Sequence, residues 1–346
     1  MQQHTKLKSV NKVLYVSGYT RMVLFNKLIP KAIRDNHFDV FEFDWNSFYS
    51  FNRYLNMFPR SFVVKKINAE LLKTAINYKP DYIFVLKGEP ILNSTLNKIR
   101  DEIDTTIFNW FGDDPWEFPY YSGKIAPNYD FFFTYDPYSV SLYKNSGYSK
   151  AFHLPYGYDV DFVDSINVSV KDLKKYKCDI AFIGSYYPER EDVLGKLLNK
   201  YDIKIWGRGW EKTSFKNVFM GRALYGKEMF KAMKSCKILI NIHKGFGQGV
   251  EASGEGLNLR VMEAAAAGCF QLTNYQSDIP NRFIPDEEIV LFRDFEELIE
   301  KIEFYLNNDE KRKMIASAAR KRVVKDHTLR LRMKQLFEII NKEKNG

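Results

Sequence analysis

The chain has 346 residues, too many for one hydrophobic core and enough for two domains of ordinary size. Its apolar and charged fractions, 45% and 27%, are those of a soluble globular protein, and no apolar run reaches the ~18 residues of a membrane-spanning helix. The net charge of +9 fits an anionic membrane surface, a nucleic acid such as DNA or a phosphorylated substrate as partner, and fits equally a Lys- and Asn-rich compositional habit.

The polar start, MQQHTKLKSVNK, runs straight into a strand pattern, KVLYVSG, and does not read as a signal peptide. Gly18 follows that strand, where a backbone can approach a ligand on the acceptor side of a cleft. SGYTRM is not a full G-x-G-x-x-G, so a tight turn explains it as well. TRMVLFNKLIPKAIRD is helical in pattern despite Pro30, HFDVFEFDW is a strand, and PRSFVVKKINAELLKTAINY is a long helix. Four more strands are expected in PDYIFVLKG, TTIFNWFGD, YDFFFTYD and KAFHLPYG. Glu89 ends the first of these. Asp113 and Asp114 end the second, between Trp110 and Trp116, where paired carboxylates and indole rings suit a sugar or a base. A Pro-terminated turn capped by Asp114 is the plainer reading.

A second series then begins. CDIAFIGS, YDIKIWGRG, VFMG, CKILINIHKG, CFQLTNY and EIVLFRD read as strands, separated by helices over 188–200, YGKEMFKAMKS and GLNLRVMEAAAAG. The last third is helical, with Asp294 and Asp309 as N-caps of its first two helices. Continuous apolar strands alternating with helices predict parallel sheets covered on both faces. Two such series predict an α/β fold of two Rossmann-like, doubly wound lobes with a cleft between them, over 10–158 and 159–327. The final helix, 328–343, carries Leu329, Met333, Phe337 and Ile340 at helical spacing and needs a surface to cover. Cys178, Cys236 and Cys269 sit at strand starts without metal spacing, which predicts buried thiols in a reducing, cytoplasmic setting.

The chemistry is expected where strands of the second series end. Glu255 and Glu263, with seven residues between them, place one carboxylate on a glycine-rich loop and one on the helix that follows. Gly245, Gly247, Gly249, Gly254 and Gly256 precede that helix, and Gly268 ends it. Such carboxylates beside a helix N-terminus suit a hydroxyl-rich, phosphate-bearing ligand, of which a nucleotide sugar is an example. An i,i+3 surface pair of Arg260 with Glu263 is the plainer alternative. FIGSYYPERED places Gly184 and Ser185 in a turn and Arg190 in the first helical turn, where a cation clamps a diphosphate, or pairs with Glu189 or Glu191. Arg208, between the glycines of WGRGW, and Lys244, after NIH, end neighbouring strands; strand alternation sets His243 on the opposite face from Lys244. Trp206 is expected in the core, and Trp206 or Trp210 beside a base. Asp159-Val160-Asp161 matches a metal-holding D-x-D but falls in the seam. The five histidines lack zinc spacing, so neither metal nor other cofactor is expected.

CDIAFIGSYYPERED, ILINIHKG, GLNLRVMEAAAAGCFQLTN and DHTLRLRM resemble the C-terminal domain of the CgeB-like, spore-maturation-type glycosyltransferases. NWFGDDPW and YDFFFTYDPYSVSLYKNSGYSKAFHLPYGYD resemble their N-terminal half, so the resemblance runs from about residue 80 onward. It implies a GT-B fold, with the final helix crossing back to the first lobe. It also implies a retaining, metal-independent transfer from a nucleoside-diphosphate sugar to a glycan, lipid, protein or other acceptor. Glu263 would then accept from the ribose hydroxyls, Glu255 would face the donor sugar, and Gly256, Leu257 and Asn258 would complete the donor segment. Arg190, Arg208 and Lys244 would neutralise the departing diphosphate. The loop departs from the family pattern in its extra glycines and in Glu251. A nucleotide-sugar epimerase on the same scaffold and a nucleotide-sugar-binding protein without turnover are the alternatives.

Overall fold

The computed structural model describes residues 10–18, 24–49 and 59–345. The polar N-terminus with His4, residues 19–23 with the start of the first helical pattern, and most of the aromatic run after Trp45 lie outside them. The first sheet contains β1 (Lys12–Ser17), β2 (Asp39–Asp44), β3 (Tyr82–Leu86), β4 (Thr106–Phe111), β5 (Phe131–Thr134) and β6 (Ala151–His153), in the order β2-β1-β3-β4-β5-β6. The second contains β7 (Cys178–Ile183), β8 (Ile203–Trp206), β9 (Cys236–Asn241), β10 (Gln271–Asn274) and β11 (Val290–Phe292), in the order β11-β10-β9-β7-β8. Every pairing is parallel, for example Tyr15 opposite Phe84 and Phe182 opposite Ile240. The continuous apolar runs are strands buried on both faces, as β3, β4 and β5 show along their whole length. VFMG contributes only an isolated bridge, Ile205 with Phe219.

In each sheet the first strand has its second on one side and its third on the other. Each therefore has a topological switch point, β1/β3 and β7/β9, and a crevice opens outside the strand ends there. Pro30 is accommodated because the helix Ile29–Arg34 starts beside it, after a wide turn over Leu24–Leu28. The helix Pro188–Gly195 is shorter than the sequence pattern, loosening into turns after Lys196. Asp294 caps Phe295–Leu306 by accepting from the Glu297 N–H. Asp309 is a correction: Asn308 occupies the cap, and Asp309 lies one residue inside, bonded to Arg312 and Lys313.

The last helix, Leu329–Asn345, returns to the first sheet. Phe337 stacks on Phe38 at 4.1 Å and meets Tyr82 and Phe108 edge-on, while Asn341 accepts from the Tyr82 hydroxyl. One core runs continuously from these rings through Trp110 and Tyr156 to Ala264 and Leu239 of the second lobe. Among the described residues no helix is long and apolar enough to cross a membrane.

Candidate active site

The two crevices open into one cavity of about 350 Å³ between the lobes. The first lobe supplies Lys87 after β3, Gly112, Asp113 and Trp116 after β4, and Tyr135 after β5. The second supplies Gly184 and Ser185 after β7, His243 and Lys244 after β9, and Asn258, Arg260 and Glu263 from the helix Leu259–Ala267 and its cap.

Arg190 rises from the first turn of the helix after β7 and is nearly buried. Its Nε and Nη2 donate to the Ile242 carbonyl at 3.0 and 2.7 Å, and Nη1 donates to that of Ser185 at 2.8 Å. Glu189 instead accepts from the Gly245 N–H, and Glu191 from the Tyr186 hydroxyl. Burial lowers the Arg190 pKa to about 10, which leaves it charged at neutral pH. Lys244 lies 3.0 Å from the centroid of Trp116, a first-lobe ring, and 5.0 Å from that of Tyr187; burial lowers its pKa also. Among the described residues neither cation has a carboxylate within ion-pair distance. Two other cations of the wall do: Arg260 holds Glu263, and Lys87 holds Asp113. Glu263 is 6% exposed, and burial raises its pKa against the opposing pull of Arg260.

His243 donates from Nδ1 to Asn274 and accepts the Asn258 N–H at Nε2, 3.1 Å away, a bonding pattern that requires the neutral ring. Burial holds its pKa down to about 4. An unfolded histidine binds a proton near pH 6.5, so between about 6.5 and 4 the unfolded chain binds more protons than the native one. This contribution is fully present above pH 6.5 and is lost as pH falls toward 4, on the order of 3 kcal/mol in all. Urea unfolding at stepped pH should show that slope in the wild type and a shallower one in His243→Asn. Identical slopes would remove His243 from the acid response.

Two cations with no carboxylate in ion-pair distance among the described residues, a loop and helix start, and a buried Glu in the cleft wall suit a phosphate-bearing, hydroxyl-rich ligand. Residues 190–338 match the glycosyl transferase-like family. By that match, which takes in most of the second lobe and the last helix, the chain is a glycosyltransferase. This glycosyltransferase is 22% identical over 281 residues to the spore protein CgeB of Bacillus subtilis, covering 76% of the chain and 83% of that relative. Its fold is shared with a glycosyltransferase from Rickettsia africae (TM-score 0.65, 13% identity, 97% of this chain and 99% of that one). It is shared also with Anabaena HepE, solved in complex with UDP (TM-score 0.62, 12% identity, 96% and 100%). The architecture is GT-B.

Of the glycosyltransferase's sequence-derived candidates, the cavity gathers Asp113, Gly184, Ser185, Arg190, Lys244, Asn258 and Glu263. The others lie elsewhere, each for a local reason. Glu255 lines a shallower neighbouring hollow with Tyr275, Gln276 and Arg293, behind the short helix Val250–Ser253. Gly256 packs under the first-lobe Tyr135 carbonyl and Leu257 is core. Arg208 is exposed over the Tyr225 ring, because its chain turns outward at the left-handed Gly209. Asp114 is fully buried, accepting from Ser122 and Tyr143, and burial pushes its pKa up to about 6; it is structural. Glu89 is not part of the cavity lining but lies 3.8 Å from Lys87, which is. Gly18 leaves room for Trp45, whose ring would sit 2.3 Å from an added Cβ. Asp159 caps the helix Val160–Asp164 and pairs with Lys31. Trp206 and Trp210 are both core, Trp210 donating to the Gly184 carbonyl.

The expected separation of His243 from Lys244 is also corrected, since both line the cavity. β9 ends at Asn241, so strand alternation does not extend to them. Arg260, Lys87 and Tyr135 were not expected at the site. For Lys87 a signal existed: it sits beside Gly88 in a K-G turn, and both adopt left-handed backbone, φ 58° and 87°. A left-handed lysine is costly and is the kind of outlier that collects at functional sites.

Proposed function

We propose that this glycosyltransferase moves a sugar from a nucleoside-diphosphate sugar to an acceptor hydroxyl, with retention and without a metal ion. The observation that carries the reading is the pair Arg190 and Lys244, two charged side chains in the cavity wall with no carboxylate within ion-pair distance among the described residues. The bond from the anomeric carbon to the diphosphate breaks, and a bond to the acceptor oxygen forms on the same face of the sugar, which keeps the configuration. The departing oxygen gains negative charge, which Arg190 and Lys244 are placed to receive. Their charges would serve where other enzymes use a divalent cation. Glu263 stands deeper on the same lobe, where a ribose diol can bond to it. Asp113, held by Lys87 on the facing lobe, is the carboxylate placed to take the acceptor's proton. Retention follows the family resemblance, and the acceptor hydroxyl belongs to a glycan, lipid, protein or other molecule.

A thermal-shift panel of nucleotides and nucleotide sugars should give stabilisation by one family of nucleoside diphosphates, unchanged by chelator. Glu263→Ala should then bind that nucleoside diphosphate at least about tenfold more weakly, as expected for about 1.5–3 kcal/mol of charge-assisted hydrogen bonding. Transfer that stops with chelator and returns with manganese would overturn the metal-free reading. Epimerised donor without acceptor would mark an epimerase, and tight binding without turnover a sensor.

A further inference from the structure

Asp136 lies two residues after β5 in the first lobe and is fully buried. One carboxylate oxygen, Oδ2, caps the helix Pro137–Asn145, accepting from the Ser139 N–H at 2.9 Å and its hydroxyl at 2.6 Å. The other, Oδ1, crosses to the second lobe and accepts the backbone N–H groups of Glu255 and Gly256 at 2.6 and 2.7 Å. The approach is so close that neither flanking glycine tolerates a side chain. A Cβ on Gly254 would lie 2.6 Å from Oδ1, and one on Gly256 would lie 2.7 Å from the Tyr135 carbonyl. The loop that Asp136 grips leads within two residues to Asn258, the cap of the helix bearing Arg260 and Glu263.

We propose that Asp136 is a positioning residue, a latch by which the first lobe sets the geometry of the second lobe's donor-binding wall. A buried carboxylate accepting two backbone N–H groups makes strong, directional bonds. Its position across the lobes means that the loop is fixed only while the lobes are together. Without the latch, the segment 254–258 loses its anchor, and with it the rotation of the helix that presents Glu263 and Arg260. The effect on donor binding rests on the function proposed above, whereas the anchoring itself does not.

Hydrogen exchange at the Glu255 and Gly256 amides reads the latch directly. They should exchange slowly in the wild type and at least tenfold faster in Asp136→Ala. Gly256→Ala, which pushes the loop off the first lobe from the other side, should do the same. Both variants should bind nucleoside diphosphate roughly tenfold more weakly, and the double variant no worse than either alone, because one contact is removed twice. Ser139→Ala, which disturbs only the cap side of the carboxylate, should lower the melting temperature and leave nucleotide affinity unchanged. Unchanged exchange in folded Asp136→Ala overturns the latch. So does faster exchange with nucleotide affinity intact, or a loss of affinity in Ser139→Ala equal to that in Asp136→Ala. If the wild type binds no nucleoside diphosphate, the functional reading falls, and the exchange comparison alone decides whether the latch exists.

Discussion

Arg190→Ala is expected to lower the rate of sugar transfer by about 10²–10³-fold, the effect of removing one pre-placed donor from a developing oxyanion. Nucleoside-diphosphate affinity should fall too, by about tenfold, because the charge exists in the ground state and grows as the bond breaks. The wall around Arg190 is dry enough to lower its pKa, so its field on a bound phosphate is little screened. The variant also strips partners from the Ile242 and Ser185 carbonyls, so its melting temperature must be measured beside its kinetics. Arg190→Lys keeps the charge but not the fork that reaches both carbonyls, and should recover binding better than rate. Transfer within threefold of wild type in a folded Arg190→Ala would show that Arg190 only braces the loop.

Asp113→Asn should reduce transfer by about 10²–10⁴-fold while donor affinity stays within about twofold, because general base catalysis acts in the transition state. Asp113 lines the cavity from the first lobe, opposite the cations of the second, and Lys87 holds its carboxylate. Asparagine keeps the shape and loses the basic oxygen. Single-turnover measurements at saturating donor would separate the chemical step from acceptor binding. An unchanged single-turnover rate would reduce Asp113 to a counter-ion for Lys87.

The lobes were legible because each strand is an apolar run bounded by turn chemistry, and parallel strands buried on both faces leave that trace in sequence. The Glu-bearing helix was legible for the same reason, with Asn258 and Gly268 marking its ends. What sequence withheld were contacts made across the lobes. Asp136 lies 119 positions from Glu255, and nothing near either residue announces the other. Glu255 was misplaced because spacing fixes where a residue falls along the chain, not which side of a loop faces a cavity. Asp113 and Asp114 are adjacent and chemically alike, yet one faces the cavity and the other Ser122 and Tyr143; only the turn into Pro115 separates them. His243 and Lys244 show the limit of a periodic rule, which expires with the strand that justifies it.

The helix Leu329–Asn345 covers rings on β3, β4 and the turn before β2, yet it is synthesised after the whole second lobe. At ~5–20 residues per second, a ribosome needs roughly 9–35 s to pass from the end of β6 to that helix. Through that interval Phe38, Tyr82 and Phe108 lack the Phe337 ring that finally lies against them. The second lobe can close first, although the first lobe is made first. Early exposure of an aromatic face invites wrong partners, and the return of Phe337 is what ends that exposure.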